Sequence, residues 1–260
     1  GIHDVKTYPL IQGMLGRLEA YFYHAQNKHG RAYRAYEKYL TALASVDPVE
    51  AALYKNLAQV ASEEVAEAYQ VASEEEQQEI WRAHWAARDP DPTTVLNERL
   101  VEHYRRVLYA RTHFGEAKFP WDRRGEIYVR YGDPDDRQTF TFSVGEKSQA
   151  NQGSRRTTGA ATVNSFSDDM RESVQSNSIE RHAFAPTGNS RVDAIREINF
   201  QQRYQLAVEA STVGISAYRA ESWVYVPTNV ELFFVDQLNN GVFDFPLMTE
   251  SRDVREFARQ

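Results

Sequence analysis

Between about residues 10 and 87 the apolar positions recur at helical intervals. In "GRAYRAYEKYLTALASVDP" Ala35, Tyr39, Ala42 and Leu43 share a face, with Gly30 before them and Pro48 after. Small residues at those points let a second helix approach closely, and the aromatic rings fill the remaining space. A third helix is expected over about 48–71. "SEEEQQEIWRAHWAA" then opens with Ser73 and Glu76 at the spacing of a capping box. Behind that cap Ile80, Trp81, His84 and Trp85 lie on one face, and tryptophans at this spacing are expected in a core.

"RDPDPTT" interrupts the helical pattern. Pro90 and Pro92 force extended backbone at Asp89 and Asp91, and Thr93 or Thr94 is the expected cap of the next helix. In "VLNERLVEHYRRVLYARTHFG" a stripe of Leu96, Leu100, Tyr104, Val107 or Leu108, and Arg111 predicts a helix stopped by Gly115. The period then changes to two. In "EIYVRYG" Ile127, Val129 and Tyr131 alternate with Tyr128 and Arg130, predicting a strand that ends at Gly132-Asp133-Pro134. Three further strands are expected near 221–226, 230–236 and 242–247, joined by "PTN" and by "LNNG", whose Asn240-Gly241 is a hairpin signal.

Between these strands, about residues 138–191, the chain is rich in Ser, Thr, Asn, Gln, Gly and Arg, and a helical period returns in "VDAIREINFQQRYQLAVEA". So polar a stretch buries too little to hold a shape alone and is expected to be steadied by a neighbouring surface. The predicted fold is therefore α+β. A helical region spans 1–87, and an α+β region spans 88–250, with a small antiparallel sheet and a long polar insertion.

Composition narrows the setting. The 260-residue chain is 42% hydrophobic and 12% aromatic, enough for a substantial core. A formal charge of −7 argues against nucleic acid or an anionic membrane surface as the main partner. There is no cysteine, which removes disulfides, thiolate chemistry and Cys-type zinc sites. No apolar run is long enough to span a bilayer, so no transmembrane segment is expected. The start at Gly1, without a basic and apolar leader, suggests a mature or trimmed chain, with room for a lipid anchor upstream.

Candidate chemistry is sparse. Asp89, Asp91, Glu98 and His103 could gather at one end of the long helix as the ligands of a metal-assisted hydrolase. Capping and the helix dipole already account for those aspartates, and that reading is preferred. His84, His103 and His113 form no HExxH, and there is no G-x-S-x-G, Walker A or G-x-G-x-x-G. No catalytic residue and no cofactor is therefore predicted. Arg123 and Arg124 resemble an anion clamp, but nearby carboxylates favour a structural arginine–aspartate lattice of Arg88, Asp89, Asp91, Arg123, Arg124 and Asp133. Trp81, Trp85, Arg155 and Arg156 are candidate partner contacts. Trp81, Trp85, Trp121 and Trp223 would be the ring surfaces of a glycan- or peptide-binding module.

Two resemblances follow from these blocks. Gly30, Ala35, Tyr39 and Ala42 match the pattern of a tetratricopeptide repeat, without its Trp-Leu-Gly signature and over about one repeat, which implies a helical hairpin docked on the rest of the protein. From about Trp81 to Leu247 the chain resembles the GWxTD domain, a bacterial domain of unknown function. The resemblance is carried by Arg88, Asp89, Pro90, Pro92 and Thr93; by Asn97, Glu98, Arg106, Ala110 and Phe114; by Arg124, Gly125, Ile127, Tyr128, Tyr131, Gly132 and Pro134; and by Trp223, Tyr225, Phe234 and Asp236. The name-giving motif departs from the family, because Phe119-Pro120-Trp121-Asp122-Arg123-Arg124-Gly125 carries its tryptophan and aspartate at shifted positions. The resemblance implies an exported bacterial protein of the periplasm, outer envelope or extracellular space, and no known activity. The expectation is a non-enzymatic interaction subunit that meets other protein chains in a larger complex.

Overall fold

The computed structural model of the protein describes residues 7–143, 187–199 and 217–246. The fold is α+β: a helical N-terminal half is followed by a three-stranded antiparallel sheet. The chain divides into two compact units, one ending at Gly132 and the other beginning at Asp133. That division falls beyond the break in composition at 87/88.

The first unit opens with a helical hairpin. Helix α1 (Thr7–Ala25) turns through Asn27, whose φ of 56° is left-handed, into α2 (His29–Val46). Ala32, Ala35, Tyr36, Tyr39 and Leu40 of α2 are buried, which places two of the repeat-like positions, Ala35 and Tyr39, in the core. The single helix expected over 48–71 is instead two, α3 (Pro48–Leu53) and α4 (Glu63–Val71). Tyr54 and Leu57, both fully buried, lie in the turns between them and anchor the break. Helix α5 (Glu74–Ala86) has the expected capping box, with Ser73 and Glu76 satisfying each other's backbone N–H groups. Leu57, Ala61 and Trp85 form a buried cluster on which Tyr69, Ile80, Trp81 and Leu100 pack.

Helix α6 (Glu98–Phe114) is capped by Asn97 rather than by Thr93 or Thr94. Its side-chain oxygen accepts from Leu100 N at 3.0 Å while its amide donates to the Trp85 carbonyl at 2.6 Å, so one residue joins the end of α5 to the start of α6. At the other end Gly115 has a negative φ, and its lack of a side chain serves space instead. A Cβ there would strike the carbonyl oxygens of Arg111 and Pro120.

The stretch expected as a first strand is a helix, α7 (Arg123–Tyr131). Ile127, Val129 and Tyr131 alternate, yet Arg124, Ile127, Tyr128 and Tyr131 also sit at helical spacing, and the ends decide between the two periods. Asp122 caps the first turn by accepting from Arg124 N, and Gly132, at a φ of 83°, stops the last one. Packing agrees: Tyr128 stacks on Tyr109 of α6 at 4.3 Å and receives a hydrogen bond from Arg105 at 2.9 Å. Trp121 is buried against Gly125, where any Cβ would collide with the indole.

In the second unit the sheet has the order β1-β2-β3: β1 (Asp136–Ser143), β2 (Ala217–Tyr225) and β3 (Val230–Asp236). The first strand thus takes residues 138–143 from the expected insertion, pairing Asp136 with Val224 and Ser143 with Ala217. The "PTN" turn forms as expected, with Asn229 left-handed at a φ of 55°. The strand expected at 242–247 is reduced to one bridge, Val235–Asp244. Asp236, fully buried, accepts from the N–H groups of Asn240 and Gly241 and curls the chain back before a longer ladder can form.

Helix α8 (Ser190–Ile198) lays Val192 and Ile195 on the sheet face that carries Val224, and Arg196 pairs with Asp136 on that face. On the opposite face Glu221 accepts from Arg137 at 2.9 Å and from the Trp223 indole at 2.8 Å. Among the described residues no helix is long and apolar enough to cross a membrane.

Candidate interaction face

Helix α1 has two apolar sides. Gly13, Gly16 and Ala20 are buried along one of them. A Cβ on Gly16 would lie 3.1 Å from Tyr39 N and 3.2 Å from the Ala35 carbonyl, so α1 and α2 meet backbone to backbone there. Glycine inside a helix costs about 1 kcal/mol against alanine, and this close approach explains its use. On the other side stand Ile11, Met14, Leu15, Leu18, Tyr21 and Phe22, each between 47% and 67% exposed. At about 100° per residue these six cover roughly a third of the helix circumference, opposite the glycine side. A helix apolar on both sides is a buried helix, and among the described residues only the glycine side is covered.

The stripe was legible in the sequence but not among the predicted contacts. Ile11, Leu15, Leu18 and Phe22 are spaced four, three and four apart, the a/d rhythm of a helix-pairing seam. The predicted contacts fall elsewhere. Trp85 is buried and cannot meet a partner, whereas Trp81 is half-buried and packs edge-on against it at 5.5 Å. Arg155 and Arg156 lie outside the described residues. Trp81 also lines a surface cavity of about 410 Å³ with Tyr69, Lys55, Glu74, Gln77, Gln78 and Arg82. Trp121 and Trp223 are buried in their own units, which removes them as ligand platforms.

Two arginines of the expected lattice meet carboxylates close by in sequence. Arg124 pairs with Asp122 at 2.6 Å and Arg123 pairs with Glu126, both within one turn of α7. Arg88 donates to the His84 carbonyl instead of a carboxylate. Asp89 and Asp91 accept from the backbone of Asp91 and Thr93, bracing their own loop, and Asp133 is exposed at the start of the second unit. The charged knot of the first unit is on α6. Glu102 accepts from Arg105 at 2.7 Å and Arg106 at 2.7 Å and pairs with His24 of α1 at 3.3 Å. Burial alone would raise the Glu102 carboxyl, but the hydrogen bonds from Arg105, His24 and Arg106 outweigh it and hold it far below the usual carboxylate range. Arg106 reaches on to the Arg130 carbonyl at 2.8 Å, which ties α7 to the same knot.

The four residues offered as metal ligands do not come together, and among the described residues no three His, Cys, Asp or Glu side chains gather where they could hold a metal ion. His103 instead lies in a ring cluster, 4.8 Å from the Trp85 ring and 6.0 Å from Trp81, with Nε2 3.1 Å from the Tyr54 carbonyl. Burial pushes its pKa down to about 3 against the pull of that hydrogen bond, with the charges of Arg106 and Arg99 adding to the effect. His84 is likewise pushed down to about 4, first by burial and then by Arg88 and Arg99. Both are neutral core histidines near pH 7. Among the described residues the arrangement offers an exposed apolar face and a surface cavity. No family model, curated protein or solved structure matches the chain.

Proposed function

We propose that the chain is a non-enzymatic structural subunit of a bacterial envelope or extracellular protein assembly, and that it engages other protein chains through α1. One observation carries this reading: six large apolar side chains stand exposed on a helix whose opposite side is already packed. Left half to two-thirds exposed, side chains of this size present roughly 700 Å² together. That exceeds the largest apolar patch of a typical monomer, about 300–600 Å². The bacterial setting, in periplasm, outer envelope or extracellular space, rests on the GWxTD resemblance. Gradient sedimentation of envelope extracts tests the proposal. The wild-type chain is expected in a fraction heavier than its own mass, and Leu18→Glu is expected to leave it. A wild-type chain that sediments alone would sink the reading.

A second reading is favoured by the cavity at Trp81, where two rings, two amides and charged groups converge as they would around a glycan or peptide. Titrating oligosaccharides or peptides while following tryptophan fluorescence tests it, with Trp81→Ala as the control. A response that survives Trp81→Ala would remove this site.

A further inference from the structure

We propose that the occupant of the α1 stripe is a second copy of this chain, with the two α1 helices antiparallel about a two-fold axis, paired between the two α2 helices. The proposal rests on the interaction reading above and names its partner. Three observations support it.

The first is register. In an antiparallel pair a layers face d layers. Setting Leu15 against Leu18 of the second copy brings Ile11 against Phe22 in the same step. The flanking positions then match as well, Met14 meeting Tyr21, so every large apolar residue of the stripe meets another one. A two-fold interface requires this kind of self-complementarity, in which each pairing is repeated by symmetry.

The second is area. Roughly 700 Å² from each copy gives a total of about 1,400 Å², inside the range of about 1,200–2,000 Å² for stable, specific interfaces. The third is rigidity. Contact with α2 at Gly16 already packs α1 as a helix, so pairing orders side chains only and does not have to fold a helix. The seam is too short to pair as isolated helices, but two prebuilt hairpins can dock through it.

Sedimentation equilibrium of the full chain at about 100 µM decides the stoichiometry, since interfaces of this size dissociate in the micromolar range or below. The expected result is a dimer for the wild type, and for Leu18→Glu a monomer of unchanged helical circular dichroism, its dimer weakened at least about tenfold. A wild-type monomer at that concentration overturns the second copy. If such a monomer still enters a heavy envelope fraction that Leu18→Glu abolishes, the interaction reading stands and only this inference falls. Orientation is tested separately, because the chain has no cysteine of its own. Met14→Cys chains mixed with Tyr21→Cys chains are expected to oxidise mainly to the mixed disulfide. Predominance of the two symmetric disulfides overturns the antiparallel register.

Discussion

Helices α1 and α6 are built from similar residues and meet different fates. Helix α6 carries Val101, Tyr104, Val107, Leu108 and Phe114 at helical spacing, and every one of them is buried. Its flanks are closed by the Glu102 knot, by Tyr128 and by Trp85. Helix α1 carries Ile11, Leu15, Leu18 and Phe22 at equally regular spacing, and all four are about half exposed or more. Periodicity therefore says what a helix needs to bury, but not whether its own chain supplies the cover. For α6 the chain does so within the first unit. For α1 the described residues cover only the glycine side.

That contrast can be broken at several points. The largest effect is expected on α6 itself. Glu102→Ala removes the carboxylate shared by Arg105 and Arg106, and loss of one partner from a largely buried charge cluster costs up to about 3–5 kcal/mol. Urea unfolding should show it as a large drop in midpoint; an unchanged midpoint would mean that the knot contributes little to holding α6. Next comes the packed side of α1. Gly16→Leu drives a side chain into the α2 backbone, with an expected loss of about 1–3 kcal/mol measured by thermal or urea denaturation. Wild-type stability in that variant would show that α1 and α2 are not in close contact.

A smaller effect concerns pH. Above the ordinary histidine value of 6.5, His103 and His84 are neutral whether the chain is folded or not, and they add no pH dependence. As the pH falls below 6.5, the unfolded chain takes up protons that the folded core refuses. Stability therefore declines until about pH 4 for His84 and about pH 3 for His103. His103→Leu should lessen the slope between pH 6 and 4 by at most about 1.4 kcal/mol per pH unit, whatever it does to the baseline. An unaltered slope would place His103 in contact with solvent. The smallest effect on the fold belongs to the exposed side of α1. Leu18→Glu should change the unfolding free energy of the monomer by no more than about 0.5 kcal/mol. A large loss there would mean that the stripe is covered by its own chain.

Much of the helical half could be read from sequence because its determinants are local. The capping box at Ser73, the paired tryptophans and the Val107–Leu108 stripe are set by neighbours three or four residues away. The chain after α6 was legible where turns are local too, as at Asn229, and misread where they compete. "EIYVRYG" satisfies both periods, and Asp122, Gly132 and the surface of α6 select the helix. The strand expected at 242–247 was lost because the Asp236 carboxylate captures the backbone just beyond it. Of the proposed sites, the metal set failed for a related reason: spacing along a helix shows that residues share an end, but not that a ring cluster occupies one of them.

By itself, then, the sequence determined the α+β class, the hairpin of small and aromatic residues, the capping box at Ser73, the stop at Gly115, and the lack of any recognisable catalytic motif. Each of these depends on a few residues close together in the chain. The tertiary structure alone decided that Arg123–Tyr131 is a helix, that Arg124 pairs with Asp122, and that the described residues leave one apolar side of α1 uncovered. Those outcomes depend on which distant surface arrives to cover a group, and desolvation is settled by the neighbour in space rather than the neighbour in sequence.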